Sequence, residues 1–326
     1  LMDIKMEEVD CDFCGSSVHE KVVEQTDIIH NTTTKIFCIV KCMSCGLNFL
    51  NPRPAENEIG KFYSDEYAFH ENSSKIKLII ISIVKKIVNS PLHVIFNVIP
   101  IVNRMLVPYV LPKISDPVIQ HFIGGRILDV GCGAGVSTHF WGVEGALNSY
   151  KKIAEVYGVE VSDKARKILE SKGIVAYKTL SDIETGIHFD IIRMNWSLEH
   201  VYSPNEYFEF IANRLATDAK AIITVPNYNG LLYRVDPECV EIPIHLYHFC
   251  KNDLFNYAKK YKLKVIEFRT LSYPQMFLFA AGISKEISKS FSSPMKISEA
   301  HYFQRILSRL DKNELGNDMM IVLEKN

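Results

Sequence analysis

The stretch Ile127–Gly135, ILDVGCGAG, decides the fold. A short apolar run ends in Gly131, Gly133 and Gly135, so a strand gives way to a loop whose backbone can approach a ligand closely. The helix predicted from about Val136 would aim its positively polarised N-terminus at that ligand. A dinucleotide fingerprint needs its third glycine at position 136, which is Val136. Downstream, YGVEVS sets Glu160 at the end of the next predicted strand, where a carboxylate can accept from both ribose hydroxyls.

Working outward, residues 119–326 alternate strand and helix patterns, the signature of an α/β sheet. Strands are predicted at Arg126–Val130, Val156–Val161, Ile174–Lys178, Asp190–Asn195, Ala221–Val225, Lys264–Thr270 and Met319–Leu323. Helices are predicted at Asp163–Lys172, Glu206–Leu215 and Asn252–Tyr261. Residues 271–318 read as an insertion holding a helix near Ala300–Leu310, a cap over the site or a dimer contact.

Four blocks in this region stand in a fixed order: LDVGCGAG, YGVEVS, FDIIRMNWSLEHV and TVPN. Together they resemble the class I S-adenosylmethionine-dependent methyltransferases. That resemblance implies a Rossmann-like, seven-stranded, mostly parallel sheet with helices on both faces and an antiparallel last strand. It implies S-adenosylmethionine as cofactor, with Asp129, Gly131, Gly133 and Gly135 on its amino-acid side and Glu160 on its ribose. By the same resemblance Leu180, Ser181 and Asp182 lie beside the adenine, and Asn195 and Trp196 beside the sulfonium. For Trp196 plain core packing is the competing reading. Cys132 reads as a small loop residue, not a nucleophile.

The N-terminal zone, residues 1–72, carries CDFCG and CMSCG, which supply Cys11, Cys14, Cys42 and Cys45. Two intervening residues let one tight knuckle aim both thiolates at one metal, and the following glycine permits the turn. Four thiolates suit tetrahedral Zn²⁺ in a closed, structural site. A β-hairpin is expected between the knuckles. Two C-x-x-C pairs with matching glycines argue against a redox pair. The order of these knuckles, then NPRP, then FYSDEY, resembles one methyltransferase subgroup of bacterial surface-saccharide and natural-product gene clusters. The resemblance implies that the ribbon and the Tyr-rich segment pack over the cofactor domain and help form the acceptor site. Tyr63 and Tyr67 are the candidate substrate residues there, with surface packing as the alternative.

Methyl transfer from a sulfonium is an in-line displacement in which alignment does most of the work. A hydroxyl acceptor must also lose a proton, and His is the usual agent. His200, with Glu199 in SLEHV, and His245, in HLYHF, are the candidate catalytic residues; His248 is assigned to the substrate side. Each has a structural alternative, a residue that only locks its loop. Ubiquinone-pathway O-methyltransferases carry a related E-x-x-E-H pattern that can bind a divalent cation. Trp196 stands where that pattern has its first acid, which argues against a metal at Glu199 and His200.

Residues 73–118 form an apolar linker, with KIKLIIISIVKKIVNS read as a helix and LHVIFNVIPIVNRMLVPYV following it. Two core helices covering the sheet are the favoured reading. The other is an interfacial element touching lipid or a lipid-linked acceptor. Pro91 and Pro100 break the longest greasy run, and no transmembrane helix is expected.

The chain has 326 residues, 37 Lys plus Arg, 38 Asp plus Glu and a net charge of -1. Eight cysteines are too few for a disulfide scaffold at this length. LMDIKMEEVD is too acidic for a secretory signal, so a cytoplasmic enzyme is expected, with a membrane-peripheral placement as the alternative. The expected partner is a small-molecule or saccharide acceptor, and no nucleic acid, because bulk basic charge is lacking. A ribosomal RNA methyltransferase with a zinc module is the enzymatic alternative. A non-catalytic scaffold that keeps the fold is the alternative of another class. The acceptor, the atom methylated and the oligomeric state are not readable from the sequence.

Overall fold

The gap between the two cysteine pairs folds as the expected hairpin. The structure, a computed structural model, describes residues 4–63, 75–99, 102, 105–110, 116–135, 147–273 and 296–326. Strand β1 (Met6–Glu7) precedes the first knuckle. β2 (His19–Gln25) and β3 (Phe37–Cys42) run antiparallel, and β4 (Asn48–Leu50) returns along β3. β5 (Arg53–Pro54) pairs back with β1. The outer strand β2 is mostly exposed while β3 and β4 are mostly buried, so this sheet has one wet edge and one packed side.

Helix α1 (Lys75–Val88) opens the apolar linker. Pro91–Val98 then winds as a 3₁₀ helix capped by Ser90, not as an α-helix. The expectation that this linker covers the sheet is not met by the burial of its described residues. Val88, Val107 and Val110 are buried, but against Ile297 and Ala300 in a small separate cluster, while Leu92, Val94, Ile95 and Val98 face out. Among the described residues no helix is long and apolar enough to cross a membrane.

Short helix α2 (Pro117–His121) leads into β6 (Arg126–Val130), and α3 (Leu147–Tyr150) into β7 (Glu155–Val159). Ser162 caps α4 (Asp163–Ser171) by accepting from Ala165 N at 3.3 Å, as an N-cap serine should. β8 (Val175–Tyr177), β9 (Phe189–Asn195), α5 (Pro204–Arg214) and β10 (Leu215–Pro226) follow. After α6 (Leu231–Val235) come β11 (Tyr247–His248), α7 (Lys251–Lys260) and β12 (Leu263–Leu271). Helix α8 (Ile297–Asp311) and strand β13 (Asp318–Lys325) close the chain.

Seven strands form the main sheet in the order β12-β13-β10-β9-β6-β7-β8. The five strands from β8 to β10 are parallel, and β13 runs antiparallel to both its neighbours. This is the sheet expected from the resemblance. Central strands such as β6 and β9 are buried on both faces, hence their mostly Ile, Leu, Val and Met content, with Asp129 and Arg193 paired within it. The chain leaves β6 toward β7 on one side and β9 lies on the other, so a crevice opens beyond the C-terminal ends of β6 and β9.

The ribbon is not a separate bead. Its four-stranded sheet runs β11-β4-β3-β2, so one of its strands comes from the α/β body. Asp12, in the first cysteine knuckle, accepts from Ser203 Oγ at 2.7 Å, Asn205 N at 3.0 Å and Tyr257 Oη at 2.8 Å. Phe13 packs edge-on to the Tyr257 ring at 4.9 Å, and Lys260 Nζ donates to the Phe13 carbonyl. Arg53 lies over the Tyr202 ring at 4.5 Å and donates to the Tyr202 carbonyl at 2.9 Å. Asp12→Ala would leave the buried Tyr257 hydroxyl without its acceptor. It should lower stability by about 1–3 kcal/mol, read as a reduced thermal midpoint.

Candidate active site

The glycine loop is held open by its own backbone. Gly131, Gly133 and Gly135 adopt φ of 75°, 53° and 67°, a region side chains rarely enter. A Cβ on Gly131 would sit 2.5 Å from Ser197 Cβ, and one on Gly135 would sit 2.6 Å from Leu169 Cδ2. A Cβ on Gly133 would meet nothing within 4 Å, so that residue faces open space. Two glycines are therefore needed for packing, and the third leaves room for a ligand.

Glu160 ends β7 beside this loop. Its Oε2 accepts from Gly133 N at 2.9 Å and its Oε1 from Ser162 N at 2.8 Å. The carboxylate is thus fixed next to the glycines. Asp129 is turned to the sheet: its Oδ2 accepts from Arg193 Nη1 at 3.2 Å, and both side chains are buried. Arg193 is the register partner of Asp129 across β6 and β9, a pairing that sequence reading missed. Burial pushes the Asp129 carboxyl up, and Arg193 pulls it back down. Cys132 Sγ lies 3.7 Å from the Val159 carbonyl, and burial pushes its thiol well up. Asp182, after β8, is exposed and accepts from Thr179 N at 2.8 Å, which lowers its pKa.

Asn195 ends β9. Trp196 follows with φ of 51° and donates its backbone N–H to the Thr224 carbonyl at 2.9 Å. A tryptophan in the left-handed region is strained, and such strain is held only where surroundings fix it. Its indole hydrogen-bonds Asp318, a buried carboxyl that burial pushes up to about 8.

Beyond Trp196 a short 3₁₀ turn, Leu198–His200, brings Glu199 and His200 under the loop that carries His245. The His200 and His245 rings stand edge to face at 4.6 Å. His200 Nδ1 lies 3.0 Å from the Ile244 carbonyl and 3.2 Å from Tyr63 Oη. A carbonyl only accepts, so Nδ1 carries the hydrogen and Nε2 keeps the lone pair. That Nε2 lies 4.0 Å from Glu199 Oε1. Neither Glu199 carboxylate oxygen has a hydrogen-bond partner among the described residues. Burial pushes the Glu199 carboxyl well up, and Asp318 and Glu241 nearby push it the same way. Burial lowers both imidazoles, so His200 and His245 are neutral there.

Tyr63 reaches this cluster from the end of the ribbon. Tyr67, the helix expected from about Val136, and the insertion between 274 and 295 lie outside the described residues. His248 is placed in β11, paired with Asn48, its ring 5.3 Å from Tyr228. Burial lowers it to about 3. Two residues that sequence reading missed extend the cluster. Glu241 Oε2 lies 3.8 Å from His245 Nε2 and 3.5 Å from His30 Nε2, the latter in the hairpin turn of the ribbon. Glu241 and His245 are four apart in EIPIH, a weak signal; nothing in the spacing pointed to His30.

Two groups have the composition of a metal site. Cys11 and Cys45 place their Sγ atoms 3.5 Å apart, as do Cys14 and Cys42, and all four fall within 4.8 Å of one another. Four converging thiols fit Zn²⁺ with bonds of about 2.3 Å. Glu199, His200 and His245 also converge within 4.8 Å.

Residues 105–267, half of the chain, match the family model described as a methyltransferase domain. The chain belongs to the methyltransferase-domain family. Solved structures of the same fold include an S-adenosylmethionine-dependent methyltransferase from Archaeoglobus fulgidus. It is 18% identical, with 68% of this chain and 94% of that chain covered and a TM-score of 0.43. One from Clostridium acetobutylicum is 11% identical, with 64% and 87% covered and a TM-score of 0.40. No curated protein sequence matches. The sheet order, the crevice and the glycine loop of this methyltransferase fold put the expected cofactor residues Gly131, Gly133, Gly135 and Glu160 at one sheet end.

Proposed function

We propose that this methyltransferase moves a methyl group from S-adenosylmethionine to a hydroxyl of a small-molecule or saccharide acceptor. The observation that carries this reading is the neutral His200–His245 pair beyond the Asn195–Trp196 end of β9, with Glu160 on the glycine loop nearby. The cofactor supplies an activated methyl. The glycine loop would receive its amino-acid end and Glu160 its ribose. His200 Nε2 takes the acceptor proton, and the Ile244 carbonyl holds the imidazole in the tautomer this requires. His245 and Glu241 flank the base. Glu199 lies beside it, its carboxyl pushed well up by burial, and burial also keeps His200 neutral. Tyr63 brings the ribbon's end into the acceptor side. The Cys11, Cys14, Cys42 and Cys45 cluster holds a structural Zn²⁺ and does no chemistry, because a closed four-thiolate site has no open position.

The reading is tested by offering S-adenosylmethionine labelled in its methyl group to panels of sugar nucleotides, oligosaccharides and ribosomal RNA. Label should enter the saccharide fractions as a base-stable ether. Label in RNA alone, or the absence of S-adenosylhomocysteine with every acceptor, would contradict it.

A further inference from the structure

Several apolar residues of the linker after the ribbon face outward together. Ile80, Ile83, Leu92, Val94, Ile95 and Val98 are all exposed, Ile95 by 65% and Val98 by 79%. Isolated exposed apolar residues are ordinary; a run of them within one segment marks an interaction surface. The segment is seated on the body by its other side. Val88, Val107 and Val110 pack on α8, His301 Nε2 bonds the Val88 carbonyl at 2.8 Å, and the His93 and His301 rings lie 4.8 Å apart. Its outward face is thus displayed by a fixed platform.

The charge of the segment says what that face meets. Residues 72–115 contain no Asp or Glu, yet hold Lys75, Lys77, Lys85, Lys86, Arg104 and Lys113. The whole chain has a net charge of -1, so this stretch is far more basic than the chain as a whole. Basic and apolar side chains on one helical element match a surface that is apolar inside and negative outside. A protein partner with an apolar groove would not call for six positive charges without one acid. Helix α1 has 14 residues, about 21 Å, well short of the roughly 30 Å hydrocarbon core, so the element lies on a bilayer and does not cross it.

We infer that residues 75–98 dock this protein onto an anionic lipid bilayer, with Ile95 and Val98 entering the headgroup boundary and Lys85 and Lys86 facing the lipid phosphates. Apolar burial and attraction to anionic lipid act together in such interfacial elements. The inference does not depend on the methyl-transfer reading, because its test reads lipid binding and not turnover.

The experiment is flotation of the full chain with vesicles of phosphatidylcholine alone or with added phosphatidylglycerol, at low and high salt. The protein should float with the anionic vesicles, and high salt should weaken this. Lys85→Ala with Lys86→Ala should weaken partition roughly thirtyfold, from about 1 kcal/mol per lysine at the surface. Ile95→Glu with Val98→Glu should abolish flotation. These two side chains are exposed, so thermal melting should be unchanged and misfolding is checked directly. No flotation with anionic vesicles overturns the inference, as does flotation kept in Ile95→Glu/Val98→Glu. Salt-insensitive self-association that this variant removes, without lipid binding, would assign the face to a second copy of the chain and also overturn it.

Discussion

Cys11→Ser with Cys14→Ser should strip the metal from this protein and unfold its N-terminal ribbon. The sheet there is small, its outer strand β2 is exposed, and its two knuckles are held by turns of five residues closed at Gly15 and Gly46. Small modules of this kind draw their folding energy from the metal, with apparent zinc binding of about 10–16 kcal/mol in isolated fingers. Without a cation, burial pushes the Cys11 and Cys45 thiols up, so neither would ionise; a divalent cation reverses that by taking them as thiolates. Elemental analysis should find about one zinc per wild-type chain and none in the double variant. Limited proteolysis should then cut the variant between β2 and β3. The α/β body should lose some stability too, because β11 belongs to the ribbon sheet and Asp12 ties the first knuckle to Tyr257. Folded, reduced wild-type protein without zinc would remove the metal reading. A second zinc equivalent lost on His200→Ala would put an ion on Glu199, His200 and His245 and contradict their role as a proton-accepting cluster.

His200→Ala should slow methyl transfer by about 10²–10⁴-fold once an acceptor is in hand, the usual contribution of a positioned general base. His245→Ala should cost at least about tenfold, a cautious floor on the same range. Affinity for S-adenosylhomocysteine should stay within about twofold, since neither ring touches the glycine loop or Glu160. The pH profile adds a sign. Burial lowers the His200 pKa below its ordinary 6.5, so the neutral base persists into mild acid and the acid limb of the rate should fall below that value. The same shift makes the folded state resist protonation. Its stability contribution is complete above the unfolded pKa and is lost as pH falls through it toward the folded one. Wild-type turnover in both single variants and in the double variant would leave alignment alone to carry the reaction, with Tyr63 as the next group to test.

β6, β7 and β9 were legible because their residues are mostly buried and apolar. β6 was placed to the residue, and the ends of β7, β8 and β9 differ from expectation by one or two positions. β10 begins six residues earlier than its apolar run, because Leu215 pairs with Phe189 across a bulge that no hydrophobic pattern marks. The hairpin between the cysteine pairs was also readable, since knuckle spacing restricts what can connect them. The join between ribbon and body was not. It rests on Asp12, Arg53 and Gln25 reaching residues some 150 to 250 positions away, and single polar contacts leave no periodic trace. In the site, His200 and His245 were named from their position after strands, but Glu241 and His30 meet them only through the loop and the ribbon turn. The apolar linker failed for another reason: composition reports that side chains are greasy, not which side of them is covered.

Titration calorimetry of the whole chain with S-adenosylhomocysteine tests the central claim most directly. Among the described residues nothing crowds Gly133, and Glu160 stands fixed on its N–H, where the proposed function places the ribose hydroxyls. Wild-type protein should bind one ligand per chain. Glu160→Ala should weaken binding by about 1–3 kcal/mol through lost charge-assisted hydrogen bonds. Tight binding of NADH with no response to S-adenosylhomocysteine, or equal affinity of wild type and Glu160→Ala, would contradict the account.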